Sequence, residues 1–415
     1  MTIQKKYIFA ILLEGKQVTM KKPELMSPVK NRAGLEAAAP FADAVYFGVS
    51  NLNLRANSKG LTVADLEKFM KDCHKKNMKG YMTVNSTLYN QDLNKVEKLI
   101  MQADNSGVDS VIVWDPAAIN AAKKVGIDFF ISTQANVSNW KSAKFYEDMG
   151  AKRVILAREV SLEQTEKIKK EVNVEVESFV HGAMCLAVSG RCTLSGFYEN
   201  MSANRGACTQ ICRRRFELID DKGNRLVTNG REFLSPKDIC MIEYLPEMIE
   251  AGIDSFKIEG RQRSLKYVRE TAKYYRKAID SYFSGEFTRE KAKKWKRKLK
   301  KVYNRGFSTG FYFGNPGSKG ISFESGSAST VKRLQVGRVD HFYNKSQVAV
   351  LKLDHRDIRV GDEFIIEGET TYYEDVVDSL EVDGKQITRA KKGTKVGLKV
   401  NKRVRKNDRV YLLRS

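Results

Sequence analysis

Long apolar runs are missing from this chain. No stretch approaches the ~20 consecutive apolar residues that a membrane-spanning helix needs. Cysteine is scarce as well, at six among 415 residues, which is too few for a disulfide framework. The six are clustered rather than spread, which fits a reducing compartment and metal-binding or reactive thiols. Acidic residues are short against basic ones, 50 against 73, leaving a formal net charge of +23. Such a surface favours a polyanionic partner, most simply nucleic acid, through phosphate neutralisation. A lysine-rich proteome that makes every protein basic is the competing explanation. No GxGxxG follows the first strand candidate, so the dinucleotide fingerprint of an open Rossmann sheet is absent.

The N-terminus, MTIQKKYIFAILLEGKQVTMKK, begins like a signal peptide, but its apolar run ends at Glu14. No small-residue cleavage site follows, so a cytoplasmic protein is expected. Met20 precedes KKPELMSP, which reads as the true start. Residues 1–22 are therefore read as an extension.

From residue 23 to 263 short apolar runs alternate with amphipathic segments. The strand candidates are 24–29, 42–49, 78–85, 110–116, 129–138, 153–161, 174–183 and 254–260, nearly all followed by a helical pattern. The expected fold is α/β: a (β/α)8 TIM-type barrel over 23–263 with a Cys-rich insertion, 181–240. A basic helical segment (264–313) and a Gly/Ser-rich linker (314–330) follow. The short alternating runs of 331–415 predict a small all-β barrel of about six strands, carrying no chemistry. The basic run REKAKKWKRKLKKVYNRG, with Trp295 and Tyr303 interleaved, is either a solvated helix face or a phosphate-contacting one.

Polar residues gather at the ends of the strand candidates: Asn85, Asp115, Gln134 with Asn136, Arg158 with Glu159, His181, and Glu259 with Arg261. In a barrel these ends converge on one face, where catalytic groups are found. Between Glu177 and Phe216 lie Cys185, Cys192, Cys208 and Cys212, with glycines between them; Cys240 follows shortly. Thiolates are soft ligands, and glycines let a backbone turn tightly around an ion. The spacing matches neither a paired zinc ribbon nor a ferredoxin run, so iron–sulfur and zinc both stay open, beside buried or reactive thiols. Cys73, in the helix pattern DLEKFMKDCHKK, is read as a packed core residue. HExxH does not occur, and no GxSxG run stands as an elbow between a strand candidate and a helix: GFSTG (306–310) matches the pattern but follows no strand candidate.

The runs HGAMCLAVSGRCTLSG, ANRGACTQICRRRF, SPKDIC and KIEGRQRS resemble the U-32 collagenase-like peptidase family. The strand-end pieces YFGVSNLNLRA, WDPAA, STQANVSN and LAREVS match the same family's barrel in order, over roughly residues 23–310. LMSPVKNRAG departs from the family's APAG-like first turn. The resemblance implies an oxygen-independent hydroxylase with a four-iron four-sulfur (4Fe-4S) cluster, although the family's name is historical and implies a peptidase. Some members hydroxylate the wobble uridine of tRNA, some a cytidine of large-subunit rRNA, and others act in ubiquinone synthesis. In the RNA branches prephenate donates the hydroxyl. The architecture most resembles the tRNA branch, and an accessory protein is compatible with it.

Carried over, Cys185, Cys192 and Cys208 stand at ligand positions, with Cys212 or Cys240 as the fourth. For a dicarboxylate donor, Arg55, Arg158, Arg191 and Arg261 are the clamping candidates, because guanidinium grips carboxylate in a bidentate fork. His181 and Glu159 are expected to move protons, and Gln134 and Asn136 to orient the donor or the base. Tyr46, Tyr81 or Trp114 would supply a stacking face. A peptidase, an rRNA cytidine hydroxylase and a non-catalytic RNA-binding or assembly protein are the alternatives.

Overall fold

The computed structural model describes residues 21–49, 52–54, 60–225, 233–323 and 326–414, with the backbone of 10–13 and 16–19, which pair as antiparallel strands. Tertiary contacts divide the chain into two units, Met1–Ala328 and Ser329–Ser415.

Eight parallel strands form the first unit: β1 (Glu24–Pro28), β2 (Ala44–Phe47), β3 (Lys79–Thr83), β4 (Ser110–Val113), β5 (Phe129–Ile131), β6 (Arg153–Ile155), β7 (Glu175–Gly182) and β8 (Ser255–Ile258). Each pairs with the next through β7, and β8 pairs with both β7 and β1, which closes the barrel. The helices between strands are α1 (Arg32–Ala38), α2 (Leu66–Lys75), α3 (Leu93–Asn105), α4 (Pro116–Val125), α5 (Trp140–Asp148) and α6 (Leu162–Glu171). Their starts are written locally. Asn31, Asp115, Asn139 and Ser161 each accept a hydrogen bond from a backbone N–H of the first turn, satisfying donors that the helix itself leaves open.

Alternation along the strands builds two cores. Outward residues such as Val45, Phe47, Val111, Val113 and Val154 pack against the helices. Inward residues such as Tyr46, Tyr81, Ile112, Phe130 and Phe179 fill the barrel. Among them sits an ionic layer. Arg153 reaches Glu24 at 2.7 Å, Glu175 at 2.7 Å and Glu177 at 3.0 Å, while Glu177 also accepts from Lys257 Nζ at 2.8 Å. These charges enter the barrel at the beginnings of β1, β6 and β7 and lead up β8.

The Cys-rich segment leaves β7 and contains one short helix, α7 (Leu194–Glu199). Its Gly190 has φ +81°, and a Cβ there would lie 2.6 Å from Gln134 Cγ, so only glycine lets this loop lie over the barrel mouth. A three-residue strand, Asp238–Cys240, then runs antiparallel to β7. Helices α8 (Leu245–Glu250), α9 (Leu265–Phe283) and α10 (Arg289–Leu299) complete the unit. No described helix is long and apolar enough to cross a membrane. On α10, Lys296 pairs with Glu243 and Arg289 with Glu247, and Trp295 packs 6.2 Å from Phe287. Part of the basic run therefore meets acids of the barrel, and its tryptophan belongs to the core.

The second unit corrects an expectation. Its strands are β9 (Lys332–Tyr343), β10 (Val348–Lys352), β11 (Glu363–Glu367), β12 (Tyr372–Val376), β13 (Leu380–Val382), β14 (Lys385–Ile387), β15 (Lys395–Lys399) and β16 (Arg409–Arg414). They form one sheet of eight strands in the order β12-β11-β16-β9-β10-β15-β13-β14, not a closed barrel of about six. No pairing joins β12 to β14 among the described residues, so the sheet stays open. Periodicity finds strands; closure depends on pairing between the first and last, which periodicity does not encode. The core of this unit is apolar, with Val336, Leu351, Phe364, Leu398 and Leu412 facing one another.

Candidate active site at the barrel mouth

The carboxyl ends of the barrel strands surround a cavity of about 610 Å³. Its floor is built by β8 and the residues just after it. Lys257, Glu259 and Arg261, spaced by two, all line it. Side chains two apart on a strand share a face, so KIEGR carries three charges to the same side. Sequence reading noted Glu259 and Arg261 at this strand end and missed Lys257, although this period-two pattern was present to find it.

Arg261 donates to Thr83 Oγ1 at 2.7 Å and to Asn53 Oδ1 at 3.2 Å, which fixes its guanidinium over β2 and β3. Arg158 donates to the Ala183 carbonyl at 3.0 Å, stacks 4.1 Å over the Phe179 ring, and lies 3.8 Å from Glu259. The Tyr46 hydroxyl lies 3.0 Å from the Ile258 carbonyl and 3.2 Å from Glu259 Oε2. Burial, with Glu259 adding to it, pushes that hydroxyl well above the ordinary tyrosine range. Three buried polar atoms in the lining have no hydrogen-bond partner among the described residues: Gln134 Oε1, Arg158 Nε and Ser189 Oγ. Unpaired polar atoms in a roomy polar site are what a ligand would satisfy.

The remaining expected site residues divide. Gln134, Arg158, Arg191 and Arg261 line the cavity. Arg191 is exposed and sits 5.0 Å over the Trp114 ring. Glu159 and Asn136 are exposed and are not among the lining residues. Asn136 has φ +55° and closes a short turn after β5, which sends its side chain off the barrel face that Gln134 occupies. Arg55 lies outside the described residues. His181 is buried and is not among the lining residues; its ring packs against α9, with its Nδ1 3.4 Å from the Tyr275 hydroxyl. Tyr46 and Tyr81 are buried, and Trp114 donates to the Asn85 carbonyl at 3.0 Å.

Burial lowers the His181 pKa to about 3. An unfolded imidazole titrates near ~6.5, so below that pH the unfolded chain binds a proton that the folded chain refuses. The stability contributed by neutral His181 is complete above about pH 6.5 and falls as the pH drops toward 3, at ~1.4 kcal/mol per unit. His181→Asn should flatten the slope of urea-unfolding free energy between about pH 6.5 and 5, above most carboxylate titration. An unchanged slope would mean the imidazole is charged in the folded protein.

The thiols require a second correction. Cys185, Cys192, Cys208 and Cys212 all line the cavity. Burial raises the Cys212 pKa, Arg213 opposes the rise, and the three other thiols add to it. Nevertheless, among the described residues no group of three or more His, Cys, Asp or Glu side chains is gathered so as to hold a metal ion. The expected 4Fe-4S cluster is overturned on that ground: loop turns bring the thiols to one wall without drawing them together as a ligand set. Cys240 stands apart, buried behind β7, where the Tyr275 hydroxyl approaches its sulfur at 3.9 Å and burial pushes its pKa up to about 11. Cys73 is buried in α2.

Residues 31–322 match peptidase family U32. This chain belongs to that family. An uncharacterized protease of Methanocaldococcus jannaschii is 44% identical over 94% of this chain and 98% of its own. A collagenase of Porphyromonas gingivalis is 35% identical over 94% of this chain and 97% of its own. A tRNA hydroxylation protein of Bacillus subtilis is 36% identical over 85% of each chain. The U32 relatives thus carry both peptidase and RNA-modification names. The mouth of this U32 barrel combines buried cations with the ring of Phe197, which is 85% exposed; Tyr198, beside it on α7, is 73% exposed.

Proposed function

We propose that this U32 chain hydroxylates a base of RNA, with C5 of the tRNA wobble uridine as the target and a small dicarboxylate such as prephenate as hydroxyl donor. One observation carries the reading: a barrel-mouth cavity lined by Lys257, Arg158 and Arg261 together with the exposed aromatic ring of Phe197. Guanidinium groups suit carboxylates, and aromatic faces suit unstacked bases. The net charge of +23 suits an RNA backbone. A relative named for tRNA hydroxylation supports the choice of RNA.

The net step exchanges a hydroxyl group for hydrogen: base–H and R–OH become base–OH and R–H. The base loses two electrons and the donor gains them. Arg158 and Arg261 hold the donor's carboxylates. Glu259, between Tyr46 and Arg158, is the carboxylate placed to accept the proton leaving the base. Phe197 and Tyr198 take the stacking role expected of Tyr46 and Tyr81, since a buried ring has no free face.

The test is the nucleoside composition of tRNA with and without the gene; 5-hydroxyuridine should disappear when the gene is removed. Unchanged 5-hydroxyuridine would refute the assignment. Phe197→Ala should weaken tRNA binding about 5- to 100-fold, the range of one lost base–aromatic stack. The slope of affinity against salt should stay unchanged, because no phosphate contact is lost. Undiminished affinity would remove Phe197 from the interface.

A thiol peptidase is the second reading, favoured by the four cavity thiols and by the names of relatives. It needs a base beside one of those cavity thiols. His181 instead lies buried against Tyr275, opposite Cys240 in the strand register. Cleavage of gelatin that is lost on replacing one cavity cysteine would favour this reading over the first.

A further inference from the structure

We propose that Lys257 is the nucleophile of a carbonyl-binding subsite, forming an imine with a 2-oxo carboxylate whose carboxylate group is held by Arg158 and Arg261. The proposal deepens the reading above by naming the chemical class of the small co-substrate, and rests on it only for that role.

The geometry is specific. Lys257 is 5% exposed, lies on the inner face of β8, and lines the cavity. Its amine donates to Glu177 Oε1 at 2.8 Å and sits 4.3 Å over the Tyr46 ring. An ammonium group has three N–H donors, and Glu177 is its one hydrogen-bond partner among the described residues. Glu177 is in turn tied to Arg153 at 3.0 Å. That arrangement leaves the upper side of the amine facing the cavity, with a carboxylate beneath it to receive a proton. Burial lowers the amine's pKa against the pull of Glu177, which eases access to the neutral, nucleophilic form.

The neighbours select the ligand. Tyr46 links the three cations: Lys257 lies over its ring, while Arg261 and Arg158 both act on its hydroxyl. A carboxylate next to a carbonyl carbon would meet a guanidinium and the amine together. The orphaned Arg158 Nε and Gln134 Oε1 supply a donor for the carboxylate and an acceptor for a hydroxyl or hydrated group. Ile112, Ile155 and Phe179 supply an apolar wall for the rest of the molecule.

The step balances without another reactant. The lysine ammonium and the ketone carbonyl of the oxo acid give a protonated imine and one molecule of water. Glu177 takes a proton from the ammonium, the amine lone pair forms the C–N bond, and the carbonyl π pair moves to oxygen. Two protons leave with that oxygen as water.

The test uses the full chain with phenylpyruvate or pyruvate and sodium cyanoborohydride, followed by peptide mass mapping. A reduced adduct on Lys257 is expected, absent in Lys257→Arg, which keeps a cation against Glu177. In the wild-type chain, phenyllactate, which has a 2-hydroxyl in place of the ketone, should protect Lys257 without being trapped. Arg261→Ala should lower adduct yield at least tenfold at limiting oxo acid. Labelling spread evenly over surface lysines, or none on Lys257 in protein that still hydroxylates tRNA, overturns the inference and leaves the function standing. An adduct on Lys257 in a chain whose loss leaves tRNA nucleosides unchanged sustains the inference and removes the RNA reading.

Discussion

Arg153→Ala is expected to destabilise the barrel by about 3–5 kcal/mol, the cost of breaking a buried ion pair from one side. Arg153 is the hub of the interior ionic layer, joined to Glu24, Glu175, Glu177 and the Ser255 hydroxyl, the last at 3.1 Å. Its guanidinium also lies 4.4 Å over Phe130 and 5.5 Å over Tyr81. Removing it leaves Glu177, which has no exposed surface, with Lys257 alone, and leaves Glu24 with Tyr81. An uncompensated carboxylate in a closed barrel has no water to turn to. Arg153→Lys should cost less, since it keeps a charge but loses the forked contacts to three strands. Equilibrium urea unfolding measures both. A loss under about 1 kcal/mol for the alanine variant would show that the layer is solvated or dispensable.

That layer also marks the limit of what the chain discloses as a string. The eight barrel strands were legible because Val111, Val113, Val154 and Val176 stand in short β-branched runs between helix patterns. The ionic layer was not, because Glu177 in VEVESF looks like the solvent face of an alternating strand. In a closed barrel that face is the interior. The same ambiguity hid Lys257 and left the adjacent Arg158 and Glu159 undistinguished: the chain turns out of β6 there, so Arg158 enters the mouth and Glu159 is exposed outside its lining. Gln134 and Asn136 separated for a related reason, a left-handed residue closing a turn. Cysteine spacing placed four thiols at one site without fixing their mutual distances, and the metal expectation failed on those distances. The open second sheet differs again: its edge strand YYEDV has only Tyr373 buried and gives little signal.

Arg261→Ala is expected to lower the rate of base hydroxylation by about 100-fold, in the range typical of losing one preorganised charged donor. Thr83 and Asn53 hold this guanidinium in place before any ligand arrives. Orientation is therefore built into the fold, and its loss should appear mainly as weaker binding of the acidic donor. Arg261→Lys should not restore the rate, because an ammonium reproduces the charge and not the planar fork. Unchanged thermal unfolding of the variant would separate this effect from damage to the fold. A rate within threefold of the wild type would exclude Arg261 from the donor site.

The proposal to be tested is that the barrel mouth of this U32 chain hydroxylates the wobble uridine of tRNA. The most direct measurement is quantitative mass spectrometry of tRNA nucleosides from a strain lacking the gene, complemented with the wild type, Arg261→Ala or Phe197→Ala. The expected result is 5-hydroxyuridine restored by the wild type, nearly absent with Arg261→Ala and reduced with Phe197→Ala. Equal 5-hydroxyuridine in all strains, or a change confined to ribosomal 5-hydroxycytidine, would contradict it.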